Sequence, residues 1–251
     1  MKSLATNITI EAKNSILENL KIYIFIKSSI LGYKSELIRE KKAFNFDLIT
    51  KKFVHSQVKP KAKIDPIKYS EINRYTQNIV KEKISDAIFI FNMNIFDSWI
   101  LDLIKTKLQK YHKSFASKLE PTDDFDQKQI SIKVIKDAVS IDELWERIIG
   151  DYIFKMGYTD IVKHLDLLSK HFHIKFKKDD LVGKINEYSL RRNIIVHNSK
   201  IVNDIYIRKA GKFRKFNLND VISIAENDIF EQTDILLRFI TDFQTEIKDK
   251  Y

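Results

Sequence analysis

The chain has 251 residues, room for one large domain or a domain with an extension, and its 44% hydrophobic content supplies an ordinary packed core. Only 5 Gly and 3 Pro favour long helices over a turn-rich sheet fold, and the absence of Cys excludes disulfides, thiolate-bound zinc and nucleophilic cysteine chemistry. A formal charge of +10 points to a polyanionic partner, RNA or DNA first, with a solvated lysine-rich surface from A+T-biased coding as the alternative.

Residues 8–49 read as helical, with Ile16, Leu20, Tyr23, Ile24 and Leu31 recurring at helical spacing between charges. The apolar stretch 20–31 is interrupted by Lys21 and Lys27, and it falls short of the ~20 apolar residues of a membrane span. A soluble, cytoplasmic protein without membrane association is therefore expected. The basic segment 51–65, closed by Pro60 and Pro66, reads as a linker. It divides the chain into an N-terminal helical extension with basic linker, 1–65, and a main helical domain, 66–251.

A long helical stretch follows over 67–115. Its centre, 88–100, is apolar on a broad face that Leu103, Ile104 and Leu108 continue, which predicts burial on more than one side. Its aromatic residues are expected to form core. The loop 121–126 carries three Asp, read as hydrated rather than cation-binding. Ser140-Ile141-Asp142-Glu143 is a capping box opening a helix with the stripe Ile141, Leu144, Trp145, Ile148, Tyr152 and Met156. Gly157 is expected to end it, and Thr159 to cap a shorter helix to about His171.

Asp179 and Asp180 start the next helix, where free backbone amides favour negative charge. It is expected to run to about Asn198. Segments 201–207 and 212–216, separated by Ala210-Gly211, read as a small β-hairpin. Asn219 or Asp220 is expected to cap a last helix with the stripe Ile222, Ala225, Ile229, Leu236, Ile240, Phe243 and Ile247.

The helix ending near Asn198 carries the chemistry. Within Arg191-Arg192-Asn193-Ile194-Ile195-Val196-His197-Asn198 a permanent cation, an amide and a titratable imidazole sit among branched aliphatics, and unpaired charges are rarely tolerated in such surroundings. On a helical wheel, Leu181, Ile185, Tyr188, Arg192, Ile195 and Val196 share one side, while Leu190, Asn193, Ile194 and His197 share the other. Apolar groups on both faces predict packing on the chain's own domain and on a second chain. Asn193 and His197 are one turn apart and point the same way. Arg192 lies about 140° from His197, but its long stem can curl toward the same groove. The alternative is structural: Arg192 pairs with a buried carboxylate such as Glu187 or Asp204, and His197 caps the helix end.

The pattern Arg192, Asn193, three variable residues, His197 resembles the signature of the HEPN superfamily, small all-helical domains of prokaryotic defence and toxin–antitoxin systems. The flanks are also similar: the aliphatic–Val196-His197-Asn198 stretch, the continuation Ile201-Val202-Asn203, the upstream helix with Phe96-Asp97-Ser98-Trp99, and the long terminal helix. The resemblance covers about residues 66–247. It implies an all-α bundle of HEPN type, with the long N-terminal helical extension and the small hairpin as additions. It further implies a metal-independent endoribonuclease acting without cofactor, in which two chains pair so that their signature helices line one composite cleft.

In that chemistry the ribose 2′-hydroxyl attacks the adjacent phosphate. His197, with a reference pKa of ~6.5, moves a proton to or from the reacting oxygens. Arg192 offers a planar fork of donors to the phosphate, and Asn193 orients His197 or the phosphate. Arg191, Lys200, Arg208, Lys209, Lys212, Arg214 and Lys215 are candidates for holding the RNA backbone, or else a solvated basic surface. By analogy, the expected role is a toxin or antiphage effector restrained by an antitoxin such as a nucleotidyltransferase. The alternatives are a non-catalytic HEPN module that binds RNA or a protein partner, and a helical scaffold. His164, His171 and His173 form the other histidine cluster, with Asp160 near His164. They read as surface and capping residues rather than metal ligands.

Overall fold

The computed structural model describes residues 2–40, 68, 71–116, 138–174 and 179–250. Eight α-helices make the described fold: α1 Lys2–Glu40, α2 Ile72–Asn78, α3 Ser85–Ala116, α4 Ile141–Met156, α5 Ile161–Phe172, α6 Asp179–His197, α7 Asp204–Ala210 and α8 Glu226–Lys250. A π-helical segment Ile79–Ile84 joins α2 to α3, and a 3-10 turn Gly211–Phe213 follows α7. The all-α architecture agrees with the scarcity of Gly and Pro. The expected linker 51–65 and the loop 121–126 lie outside the described residues.

α3 is the central strut. Phe89, Met93, Phe96, Ile100, Leu103 and Ile104 are each 0% exposed. The stretch Glu82–Tyr111 is long and apolar enough to cross a membrane by length and composition, but half of its most apolar window is buried inside the protein. Phe89, Phe96 and Trp99 are core, as expected, with Trp99 edge-on to Phe239 and Phe243 at centroid distances of 6.3 and 5.2 Å, whereas Phe91, expected in the core, is exposed.

α1 is not an appendage. Ala5, Ala12, Ile16 and Tyr23 belong to the same buried cluster as α3 and α8. Polar pairs fix its register: Trp99 donates to the Thr9 hydroxyl at 3.3 Å and Asn19 to Asn92 at 3.0 Å. Asn92 in turn donates to Gln232 and Thr233 on α8. A fully buried amide is tolerated because its hydrogen bonds are made. The expected boundary at residue 65 therefore does not separate α1 from the core, and the face that buries it is the Ala5, Ala12, Ile16, Tyr23 stripe.

The expected hairpin is overturned. Residues 204–210 are helical because Asn203 accepts the Tyr206 amide at 3.0 Å as an N-cap, with Asp204 in the first turn. Tyr206 is 1% exposed, so a side chain expected to alternate on a strand instead anchors a helix. Segment 200–202 pairs with 219–222: Val202 donates to the Asp220 carbonyl, Asn219 to the Val202 carbonyl and Ile222 to the Lys200 carbonyl. A single antiparallel bridge, Ile201 with Val221, results, and no strand occurs among the described residues.

Two helix starts also differ from expectation. Asp160, not Thr159, precedes α5, while the Thr159 hydroxyl donates to the Met156 carbonyl at 2.9 Å. α8 begins only at Glu226, after Asp228 has accepted the Ala225 amide at 2.9 Å.

Candidate functional site

α6 carries two adjacent arginines with different fates. Arg191 points inward and is 2% exposed. Its guanidinium lies 2.8 Å from Glu187 and 2.7 Å from Asp228, and it stacks against Phe89 and Tyr188 at 5.1 and 4.9 Å. Tyr206 donates to the other Glu187 oxygen at 2.5 Å, and Lys215 reaches Asp228 at 2.6 Å. Burial raises the Glu187 carboxyl despite Arg191 beside it. Burial also pushes Asp228 upward, but its two cations outweigh that and hold it below the usual carboxylate range. Arg191 was expected among residues holding an RNA backbone. Its enclosure corrects that expectation, since every charged partner it needs is already inside the fold.

Arg192 faces the other way and keeps 25% of its side chain exposed. Its Nε and Nη2 both donate to Asn94 Oδ1, at 3.1 and 2.8 Å, and Nη1 donates to Asn193 Oδ1 at 2.8 Å. Nη2 also lies 3.6 Å from Asp97 Oδ2. The guanidinium is thus fixed as a plane by two amides and flanked by a carboxylate. The hydrogen bonds leave part of its five-donor fork unused. The Glu187 pairing weighed for Arg192 belongs to Arg191 instead.

His197 is the last residue of α6 and is exposed. Among the described residues its imidazole has no hydrogen-bond partner. No hydrogen bond joins it to Arg192 or to Asn193, which was expected to orient it. Asn193 spends its carbonyl oxygen on Arg192.

Behind Asp97 sits His164, 2% exposed on α5. Its Nδ1 is 3.3 Å from Asp97 Oδ1 and its Nε2 is 2.7 Å from the Met156 carbonyl. Burial pulls its pKa down. The hydrogen bonds to Asp97 and Met156, with the charges of Asp97 and Asp160, outweigh that and leave it raised. No group of three or more His, Asp or Glu among the described residues is placed to hold a metal ion.

Asn94, Asp97 and His164 complete a site the sequence reading did not assemble. A signal existed for two of them: Asn94 and Asp97 interrupt an apolar run at a spacing of three, one helical turn. His164 carries no such mark, because only the tertiary fold brings α5 to α3.

The seam between α3 and α6 is pinned at two points. Lys200 pairs with Asp86, and Arg192 with Asn94 and Asp97. These pairings run the two helices antiparallel and place Phe91 and Val196 between the pins. Both are solvent-exposed, at 53% and 48%. Val196 is thus exposed although it shares a wheel side with the buried Leu181, Ile185 and Tyr188.

The remaining basic candidates are mostly matched. Lys200 pairs with Asp86, Lys209 with Asp160 at 2.6 Å and Lys212 with Asp180 at 3.1 Å. Arg208 and Arg214 are exposed and have no ion pair among the described residues. Comparison with protein-family models, with curated proteins and with solved structures yields no match.

Proposed function

We propose that this chain is a metal-independent endoribonuclease of HEPN type, acting without cofactor as a homodimer. One observation carries the reading. Arg192 is held rigidly at the surface by Asn94, Asn193 and Asp97, with His197 exposed at the end of the same helix. An arginine kept for stability is enclosed, as Arg191 is. One anchored on its flank with donors left over is suited to meet a phosphate.

Arg192 stabilises charge on the phosphate oxygens and His197 transfers the proton. Arg192 and His197 do not touch within one chain, so the reading requires a second chain to bring its His197 toward the first chain's Arg192. The exposed Phe91 and Val196 beside them offer the apolar contact for that pairing. In the cell such an enzyme fits a toxin or antiphage effector under restraint by a partner such as an antitoxin nucleotidyltransferase.

A second reading, a non-catalytic HEPN module that binds RNA or a protein, is favoured by the lack of any hydrogen bond orienting His197 among the described residues. Purified protein incubated with mixed RNA in EDTA separates the two. Cleavage abolished by Arg192→Ala and by His197→Ala supports the nuclease. Salt-sensitive binding without cleavage supports the module. Cleavage that survives both substitutions, or needs a metal, removes the proposed mechanism.

A further inference from the structure

Both ring nitrogens of the buried His164 face acceptors. Nε2 faces the Met156 carbonyl, which can only accept, so Nε2 carries a proton. Nδ1 faces an Asp97 oxygen at 3.3 Å, and the partner oxygen of that carboxylate lies 3.6 Å from the Arg192 guanidinium. A neutral imidazole has one donor and one acceptor nitrogen. With Nε2–H given to the carbonyl, its Nδ1 lone pair would point at a carboxylate. The doubly protonated ring is the form that satisfies every neighbour.

We propose that His164 is a positioning residue: as an imidazolium it holds Asp97, and Asp97 in turn braces the guanidinium of Arg192. The charged groups around it come from several elements. Asp97 is on α3, Asp160 lies at the start of its own helix with Lys209 of α7 paired to it, and Arg192 of α6 stands on the far side of Asp97. α4 contributes the Met156 carbonyl. Asp97 and Asp160 are the charges nearest the ring and favour its protonated form, in accord with the raised pKa. When His164 loses its proton, Nδ1 repels Asp97 Oδ1, the carboxylate swings, and the plane of Arg192 is no longer fixed on that side. The site thereby acquires an alkaline limit set by a residue that touches no substrate.

The consequence for cleavage rests on the reading of Arg192 as a phosphate-binding group; the charge on His164 does not. The test therefore has two arms on the full-length chain. In the first, long-range 1H–15N spectra of the imidazoles are followed with pH and assigned with His164→Gln. Both His164 nitrogens are expected to be protonated at neutral pH, with a midpoint above that of free imidazole and lowered in Asp97→Asn. The Arg192 Nε–H resonance should move with the same midpoint. A neutral His164 at pH 7, or an Arg192 signal indifferent to its titration, overturns the proposal whether or not RNA is cut.

The second arm measures cleavage in EDTA. Misplacing a transition-state contact costs up to about 100-fold, so a folded His164→Gln variant should lose activity in kcat with KM little changed. It should also lose the alkaline limb of the wild-type pH profile. Unchanged kcat and an unchanged limb in the folded variant overturn the positioning role. Wild-type protein that cuts no RNA at any pH defeats the nuclease reading alone, because the spectra still decide the state of His164.

Discussion

Arg191 and Arg192 are consecutive on α6, yet Arg191 is 2% exposed between Glu187 and Asp228 while Arg192 keeps 25% of its side chain in solvent. The helix sends adjacent side chains about 100° apart, so one guanidinium turns inward between Phe89 and Asp228 and the other lies at the surface beside Asn94 and Asp97. One locks the fold and the other presents a cation. Sequence proximity conceals that division of labour.

Substitution should separate the two roles. Arg191→Ala leaves Glu187 without its cation and Asp228 with Lys215 alone, a loss of about 3 kcal/mol that urea denaturation will read as a lower midpoint. Arg192→Ala removes half-exposed hydrogen bonds to Asn94 and Asn193 and should cost about 1 kcal/mol, while abolishing RNA cleavage. Equal stability losses in the two variants would contradict the assignment.

The parts of the fold legible in sequence were those written in local chemistry. Ser140 accepts the Glu143 amide at 3.1 Å as its capping box predicts, although Glu143 returns to the Val139 amide rather than to that of Ser140. The burial of α3 followed from its apolar breadth. The missed features needed distant partners. The 201–207 segment alternates like a strand, and the Asn203 cap together with the burial of Tyr206 against Glu187, nineteen positions earlier, decides for a helix. In the candidate site, Arg192, Asn193 and His197 stood out by spacing. Asn94 and His164 gain their places only through the packing of α3 against α5 and α6.

Gly183 is another residue whose importance is invisible without the fold. A Cβ placed there would lie 2.0 Å from Cε2 of Phe213, so α6 and the 3-10 turn meet across a bare backbone. Gly183→Ala should force the ring aside and destabilise by about 1–3 kcal/mol, the usual cost of overpacking. Adding Phe213→Ala removes the clash, so the double variant should lose less than the sum of the two single losses. Strict additivity in a double-mutant cycle would show that the two side chains do not compete for the same space.

Two histidines give the stability profile opposite slopes. Burial, then the cations Lys107, His173 and Lys170, depress His171 to about 4, so the folded state resists its protonation. Between the unfolded value of ~6.5 and that folded value the unfolded chain binds the extra proton, and stability falls as pH falls. His164 is raised: its contribution is fully present below the unfolded value and is lost as pH rises through the folded one. Urea midpoints recorded from pH 4 to pH 9 should show wild type losing stability on the acid side relative to His171→Gln, and on the alkaline side relative to its own value near neutrality. An acid limb that His171→Gln leaves unchanged would assign the loss to carboxylates such as Asp228 instead.

Phe91 and Val196 test the proposed pairing of chains. They are 53% and 48% exposed, and Arg192 lies one helical turn before Val196. A charge introduced there should not disturb the core, because neither side chain contributes to it. Val196→Asp should therefore keep the wild-type circular dichroism and urea midpoint within about 0.5 kcal/mol. Where two copies meet across this face, it buries a carboxylate at an apolar contact and should shift sedimentation from dimer to monomer, with RNA cleavage lost in parallel. Mixing Arg192→Ala with His197→Ala protein should then restore part of the activity, since a mixed dimer retains an intact Arg192 on one chain and an intact His197 on the other. A wild-type monomer at micromolar concentration that nonetheless cuts RNA would mean that one chain suffices and that the cleft is not shared.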